Sequence, residues 1–265
     1  MESVASGMNR EDLIFLIEFP TCNSLRQILD FLNQSHKTIP LWLSRDKISI
    51  IKANDSETII FDGLIHPYNM LDYYVDEKYI SESGMYYIHI PIAPLLTSLK
   101  KIQKKQKVRL LQTKDRENYV TIFGEVPIHI LLDPSKEEPK PIDAGENPRP
   151  THCPNMTIQL YNFQYSAASC GRTSDRVSTL RVFQNGVYIY SSSSQGDAPI
   201  RKGNCEGEPL CEVHIPGDIM KSISKLASLC DEGIVRIYCS DETHIRLEIP
   251  ISVIGTCYIY LVPEN

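Results

Sequence analysis

The chain has a single tryptophan in 265 residues, and none of its apolar runs approaches the ~20 residues needed to cross a bilayer. It also has no excess of base. Its 27 Lys and Arg stand against 33 Asp and Glu, a net charge of −6, whereas simple nucleic-acid binders are usually basic. Nucleotide, zinc-protease and hydrolase motifs of the types G-x-x-x-x-G-K-[ST], H-E-x-x-H and G-x-S-x-G are missing, so no enzyme, no cofactor and no metal is expected. The opening stretch MESVASGMNREDLIF carries acids where a secretory signal carries a basic region, and it lacks a long apolar core. An intracellular protein away from membranes is therefore expected. None of the eight cysteines forms a C-x-x-C, and Cys205 and Cys211 are too widely spaced for a close zinc ligand pair. They read as reduced, mostly buried thiols, and the sequons at Asn54 and Asn155 as chance matches. What remains is a chain with 42% hydrophobic residues, enough for a sizeable core.

The most informative feature is self-similarity. IHIP at 88–91 matches VHIP at 213–216, Lys100 falls opposite Lys225, VRL at 108–110 faces VRI at 235–237, and LLDP at 131–134 faces YLVP at 260–263. The landmarks keep their order at a nearly constant offset. Each half then reads strand, His-Ile-Pro turn, helix, strand, strand, and a last strand ending in proline. A period this long suits a duplicated domain rather than a solenoid.

Periodicity fills in the elements. In PIAPLLTSLKKIQKKQK, Leu95, Leu99 and Ile102 recur at helical spacing, which predicts Lys100, Lys101, Lys104, Lys105 and Lys107 on the opposite face. GDIMKSISKLASLC repeats the design: Ile219, Ile223, Leu226 and Cys230 form a stripe, and Lys221, Ser224, Lys225 and Ser228 point away. TCNSLRQILDFLNQS predicts a helix with Thr21 or Asn23 as N-cap. Its counterpart at 161–174 is a weak helix, because Gly171 and several serines oppose it. Alternation predicts strands at 13–19, 39–44, 47–53, 57–64, 85–90, 108–113, 118–123 and 126–132. In the second half it predicts them at 156–160, 177–183, 186–193, 210–215, 234–239, 244–249 and 256–262. Helices among many antiparallel strands make the fold class α+β. The division reads as a domain at 1–133, a proline-rich connector at 134–154 and a second domain at 155–265. Ile142 is a solitary apolar residue within that connector, either a docking residue or an idle one.

These motifs resemble the sliding clamps of the proliferating cell nuclear antigen (PCNA) type over nearly the whole chain. The most specific stretch is 213–263, from the helix GDIMKSISKLASLC through GIVRIYCSDETHIRLEIPI to the terminal YIYLVP. SRDKISIIKANDSETIIFDGLI and the region from YYIHIP to VTIFG resemble the first copy's crossing hairpin and its second helix.

The resemblance implies a homotrimeric ring that encircles double-stranded DNA, with two clamp domains per subunit, sheets outside and helices lining the inner face. It implies DNA-facing cations at Arg26, Lys100, Lys101, Lys104, Lys105, Lys107, Arg172, Arg176, Lys221 and Lys225. Inward cations and outward acids would reconcile the net charge with sequence-independent phosphate contact. It implies subunit edges at Ile128, Ile130, Leu131 and Leu132, and at Val187, Tyr188, Ile189 and Tyr190. It further implies a pocket for client peptides at Ile142, Tyr260, Leu261, Val262 and Pro263. Partners would be a DNA polymerase, other clamp-binding-motif proteins and a clamp loader, in a nucleus or at a viral replication site. The alternatives are a clamp-like factor for viral late transcription or checkpoint signalling, or an interaction protein of the same fold that does not encircle DNA.

Overall fold

The computed structural model describes residues 9–34, 36–54, 56, 58–124, 126–134, 156–159, 161–162, 164–165, 177–191, 200–239 and 244–263. Among them lie seventeen strands and three α-helices, with antiparallel strand pairs in each of the three sheets. The class is α+β. No helix of the described residues is long and apolar enough to cross a membrane.

The first half contributes β1 (Leu13–Phe19), α1 (Cys22–Leu32), β2 (Thr38–Leu43), β3 (Ile48–Ala53), β4 (Ile59–Ile65) and β5 (Asp72–Val75). It continues with β6 (Tyr86–Pro91), α2 (Ile92–Leu99), β7 (Val108–Thr113), β8 (Tyr119–Phe123) and β9 (Pro127–Leu131). The second half contributes β10 (Met156–Gln159), β11 (Val177–Phe183), β12 (Asn185–Ser191), β13 (Ile200–Asn204) and β14 (Cys211–Pro216). Then come α3 (Gly217–Ala227), β15 (Ile234–Tyr238), β16 (Ile245–Ile251) and β17 (Gly255–Leu261). The short strands β5 and β13 were not expected from the sequence. The expected helix at 161–174 lies largely outside the described residues.

The chain forms two compact units. The first holds Met1–Leu29, His36–Ile50 and Leu64–Lys140; the second holds Asp30–Ser35, Ile51–Gly63 and Pro141–Asn265. Within the first, one sheet runs β5-β1-β7-β8-β9. Its centre is β1, LIFLIEF, buried at every position, as a strand covered on both faces must be. Leu13, Leu16 and Leu111 cluster on one side, with Tyr74 and Phe123 packed against them. Each such large apolar side chain removed from water contributes roughly 1.5–3 kcal/mol. Within the second unit, α3 buries Ile219, Met220, Ile223, Leu226 and Ala227 against β14 and β16. The 51–63 stretch packs there too: Ile60, Tyr258 and Tyr260 share a buried cluster, and β4 is the hydrogen-bonded neighbour of β17.

The strand order repeats. The order β4-β3-β2-β6 matches β13-β12-β11-β14, and β1-β7-β8-β9 matches β10-β15-β16-β17. In both copies the His-Ile-Pro stretch is the end of a strand, not a turn, and its proline (Pro91, Pro216) is the N-cap of the helix that follows. A proline suits a helix entry because its missing N–H would be unpaired there in any case. The six described cysteines, 22, 205, 211, 230, 239 and 257, are all buried.

Candidate functional surfaces

The lysines of KKIQKKQK do not sit on a helix. α2 stops at Leu99, and Lys100 is its C-cap, with its N–H donating to the Leu96 carbonyl. The expected continuation fails because the following backbone is needed elsewhere. The carbonyls of Lys104 and Gln106 accept from the N–H groups of Asn23 and Cys22 at 3.0 and 2.7 Å. Those two donors belong to the first turn of α1, where helix N–H groups have no internal partner. The loop therefore caps α1, and Thr21, just ahead of Cys22, contributes only a hydroxyl contact to Ser24. Asn23 lies inside the helix rather than at its cap. Ile102 tucks inward, buried, and leaves Lys100, Lys101, Lys104 and Lys105 exposed with no ion pair to any described residue.

Lys107 differs. Its Nζ lies 2.9 Å from Glu18 Oε1, and Glu18 also takes a contact from Arg109. The Glu18 side chain is only 4% exposed. Burial alone would raise its carboxyl, but hydrogen bonds from Lys107 and Arg109 overcome that and hold it below the usual carboxylate range. Lys107 is thus committed to an internal acid. Arg26 is half-exposed on α1.

In the second unit, Lys221 and Lys225 project from α3 one turn apart, both exposed. Ser228 is exposed as expected, while Ser224 is buried, one residue beyond the edge of the core stripe. Arg172 and Arg176 lie outside the described residues.

The C-terminal exit is held firmly. Tyr260 is 5% exposed and Leu261 is buried, whereas Val262 and Pro263 are half-exposed. The imidazole of His244 lies against the Tyr260 ring, with centroids 5.6 Å apart. Tyr260 is therefore a core residue of its unit, and the open part of the exit is Val262 and Pro263. Ile142 lies outside the described residues.

One expected edge is an edge. β9 ends its sheet, with Ile130 buried, Ile128 and Leu132 half-buried and Leu131 58% exposed. The other is not. β12 lies between β11 and β13, and Val187 and Ile189 are fully buried, while Tyr188 and Tyr190 stack on each other at 6.4 Å. The edge is β13. Its pairing with β12 depends on two facing glycines: a Cβ on Gly186 would sit 2.1 Å from the Asn204 carbonyl oxygen, and Gly203 has φ +77°. The polar string IRKGN hid this strand, and its paired glycines were the available signal.

Among the described residues no group of three or more His, Cys, Asp or Glu is placed to hold a metal.

No protein-family model matches the chain, and no curated protein matches its sequence. Solved structures do match. The proliferating cellular nuclear antigen of Entamoeba histolytica aligns at a TM-score of 0.70 and 13% identity, over 96% of this chain and 100% of that one. A PCNA2–PCNA3 complex from Sulfolobus tokodaii aligns at 0.70 and 16% identity, over 94% of this chain and 99% of that one. The architecture is thus a duplicated clamp fold of antiparallel sheets and few helices. It is the clamp fold of the PCNA type, carried by a widely diverged sequence.

Proposed function

We propose that this protein is a DNA sliding clamp, a ring-shaped processivity factor that holds DNA polymerase and other replication or repair proteins on duplex DNA. The observation that carries the reading is one of edges. Within the chain, β4 pairs with β17, while among the described residues their counterparts in the other copy, β13 and β9, are both sheet edges. A second chain supplies the missing neighbour if β9 of one copy pairs with β13 of the next. Such a head-to-tail contact uses two different surfaces and closes into a ring when the rotation allows. Pairing also covers two open strand edges that otherwise invite aggregation. Three copies, as the PCNA-type fold implies, make a homotrimer of 1–133 and 155–265 domains joined by the 134–154 connector.

The cations Arg26, Lys100, Lys101, Lys104, Lys105, Lys221 and Lys225 would face the DNA, joined by Arg172 and Arg176, with Lys107 reduced by its pairing to Glu18. Phosphate contacts of this kind are salt-dependent and carry no sequence information, so enclosure rather than affinity retains the DNA. Client peptides would meet Val262 and Pro263 above the Tyr260 and Leu261 floor, with Ile142 on the connector side. Loading onto DNA would need a clamp loader, and the site of action would be a nucleus or a viral replication site. The protein would bring partners to DNA without catalysing a reaction.

The test is solution mass followed by retention on DNA. A particle three times the mass of the chain that stays on nicked circular DNA and runs off the linear form is the expected result. A monomer at micromolar concentration, or equal loss from both DNA forms, would overturn the reading.

A further inference from the structure

A cavity of about 610 Å³ opens in the first unit where the chain leaves β9. Three tyrosines, Tyr79, Tyr86 and Tyr87, line it together with Leu131. Tyr79 and Tyr86 meet edge to face, with centroids 6.0 Å apart at 81°. The charged residues among the lining are acids, Glu117 and Asp133, and no lysine or arginine is among them. The Tyr79 hydroxyl donates to Glu117 Oε1 at 2.8 Å, which lifts the phenol above its ordinary value through that bond and keeps the carboxylate as acceptor.

The cavity is also braced before anything enters it. The Tyr86 hydroxyl donates to Gln112 Oε1 at 2.7 Å, and the Gln112 amide donates in turn to the Glu117 carbonyl. The Leu132 N–H donates to the Asn118 carbonyl at 2.8 Å and the Asp133 N–H to the His89 carbonyl at 3.0 Å. A site whose walls are already fixed loses little freedom on binding. Two perpendicular phenol rings with a carboxylate at their edge favour a cation on an apolar stem, since ring faces and carboxylate both attract positive charge while the rings cover the methylenes.

We propose that this cavity is a second partner-docking site, which takes an extended peptide segment carrying Arg or Lys beside an aliphatic or aromatic side chain. The cation lies against Tyr79 and Glu117, and the apolar neighbour against Tyr87 and Leu131. The site is separate from the C-terminal exit and from the lysine loop but shares Leu131 and Leu132 with the β9 edge, so solution mass is measured beside peptide binding to tell failure of this site from failure of the clamp reading.

The experiment is fluorescence anisotropy on the full chain with two labelled short peptides. One has a Leu-Arg-Tyr-Lys core; the other has glutamates in place of Arg and Lys. The basic peptide should bind saturably and the acidic one at least about tenfold more weakly, with about fivefold loss for the basic peptide in Glu117→Gln and in Tyr79→Leu, as a cation–π or partly exposed charge contact provides. Asp133→Asn serves as a further variant should Tyr79→Leu fail to fold, judged by circular dichroism. Equal binding of the two peptides, or undiminished binding to Glu117→Gln together with a second folded variant, would overturn the proposal. So would a drop in solution mass caused by Glu117→Gln, because the cavity would then belong to a contact with a second copy.

Discussion

The backbone N–H of Val262 donates to the carbonyl of Thr58 at 2.8 Å, so the exit of β17 is tied to the entry of β4. The tie carries the β4–β17 contact one residue past Leu261. It also sets a template. LLDP at 131–134 is the counterpart of YLVP at 260–263, and β13 is the counterpart of β4. Asp133, the counterpart of Val262, already donates its N–H to the His89 carbonyl at 3.0 Å, so a contact between two copies would have to use the N–H groups earlier on β9.

That template makes a prediction about β9. Leu132 N–H is bonded to Asn118 on the β8 side, and Leu131 faces Tyr119 in register. Inward and outward bonding alternates along an antiparallel strand, so the N–H groups of His129 and Leu131 point to the open edge. His129→Pro should therefore remove an outward donor and leave the β8–β9 ladder intact. The expected outcome is a single-chain mass by light scattering with an unchanged circular-dichroism spectrum. Full self-association of the variant would rule out β9 as the contact.

Tyr260 tests the C-terminal exit. The side chain is 5% exposed and packs on Ile60 and Tyr258. Tyr260→Ala should cost about 3 kcal/mol, the range for deleting a buried aromatic ring. Pro263→Ala, at a half-exposed position, should leave stability unchanged and lower only client binding. Urea midpoints of the two variants separate the outcomes; equal midpoints would mean that Tyr260 is not a core residue.

Much of this was readable from the sequence. Alternation located most strands within a residue or two because one or both faces of each are buried, and β1 and β11 coincide with expectation. Duplication supplied the order of elements. Three features were not readable, each for a physical reason. α2 ends early because the carbonyls of Lys104 and Gln106 are taken by Asn23 and Cys22 of α1, far away along the chain. β13 carries IRKGN, a composition that reads as loop, and is held by glycine-to-glycine approach rather than by apolar alternation. β5 is four residues of a sheet edge, too short for a period to show. Among the expected site residues, exposure of Lys221 and Lys225 followed from helical spacing, whereas Lys100 and Lys104 are exposed on a loop where a helix was expected, and the pairing of Lys107 with Glu18 joins residues on separate elements and could not be read.

Glu18 should give the protein an acid-sensitive component of stability. Its folded carboxyl titrates below the ordinary value of 4.5. The contribution is therefore complete above that pH and is lost as pH falls through the folded value. Glu18→Gln should cost about 3 kcal/mol at neutral pH, because it leaves the partly buried Arg109 without its acid, and should flatten the acid limb of the stability profile. Thermal melts of both proteins between pH 3 and 7 check this. Parallel profiles would mean that the pair does not stabilise the fold.

The same pair divides the lysines. If the 100–105 loop contacts phosphates, Lys104→Gln should lower the slope of log K against log salt by about 0.9, one released counterion. Lys107→Gln should change the slope less and stability more, since its ammonium already faces Glu18. The measurement is duplex-DNA binding across a salt series, with melting curves alongside. Identical slope changes for the two variants would show that Lys107 is as available to DNA as Lys104.

Arg246 presents the reverse case, a cation whose removal should help. Its residue is 3% exposed, and its Nε and Nη1 atoms are buried with no hydrogen-bond partner among the described residues. The guanidinium is stacked over the Tyr238 ring, 4.6 Å from the centroid, on the rung of β15–β16–β17 that also carries Tyr260. Alternation in THIRLEIPI placed this arginine as an ordinary strand residue, and nothing in its spacing marked it as enclosed. Stacking recovers ~2 kcal/mol for a desolvated cation, less than removing the charge from water costs. A side chain of similar length without charge keeps the contact with Tyr238 and has no unpaired donors. Arg246→Met should therefore raise stability by about 1 kcal/mol or more, as replacement of buried charges by apolar residues often does. Denaturant unfolding gives the comparison directly, and a loss of stability would show that the guanidinium is held by interactions stronger than the ring beneath it.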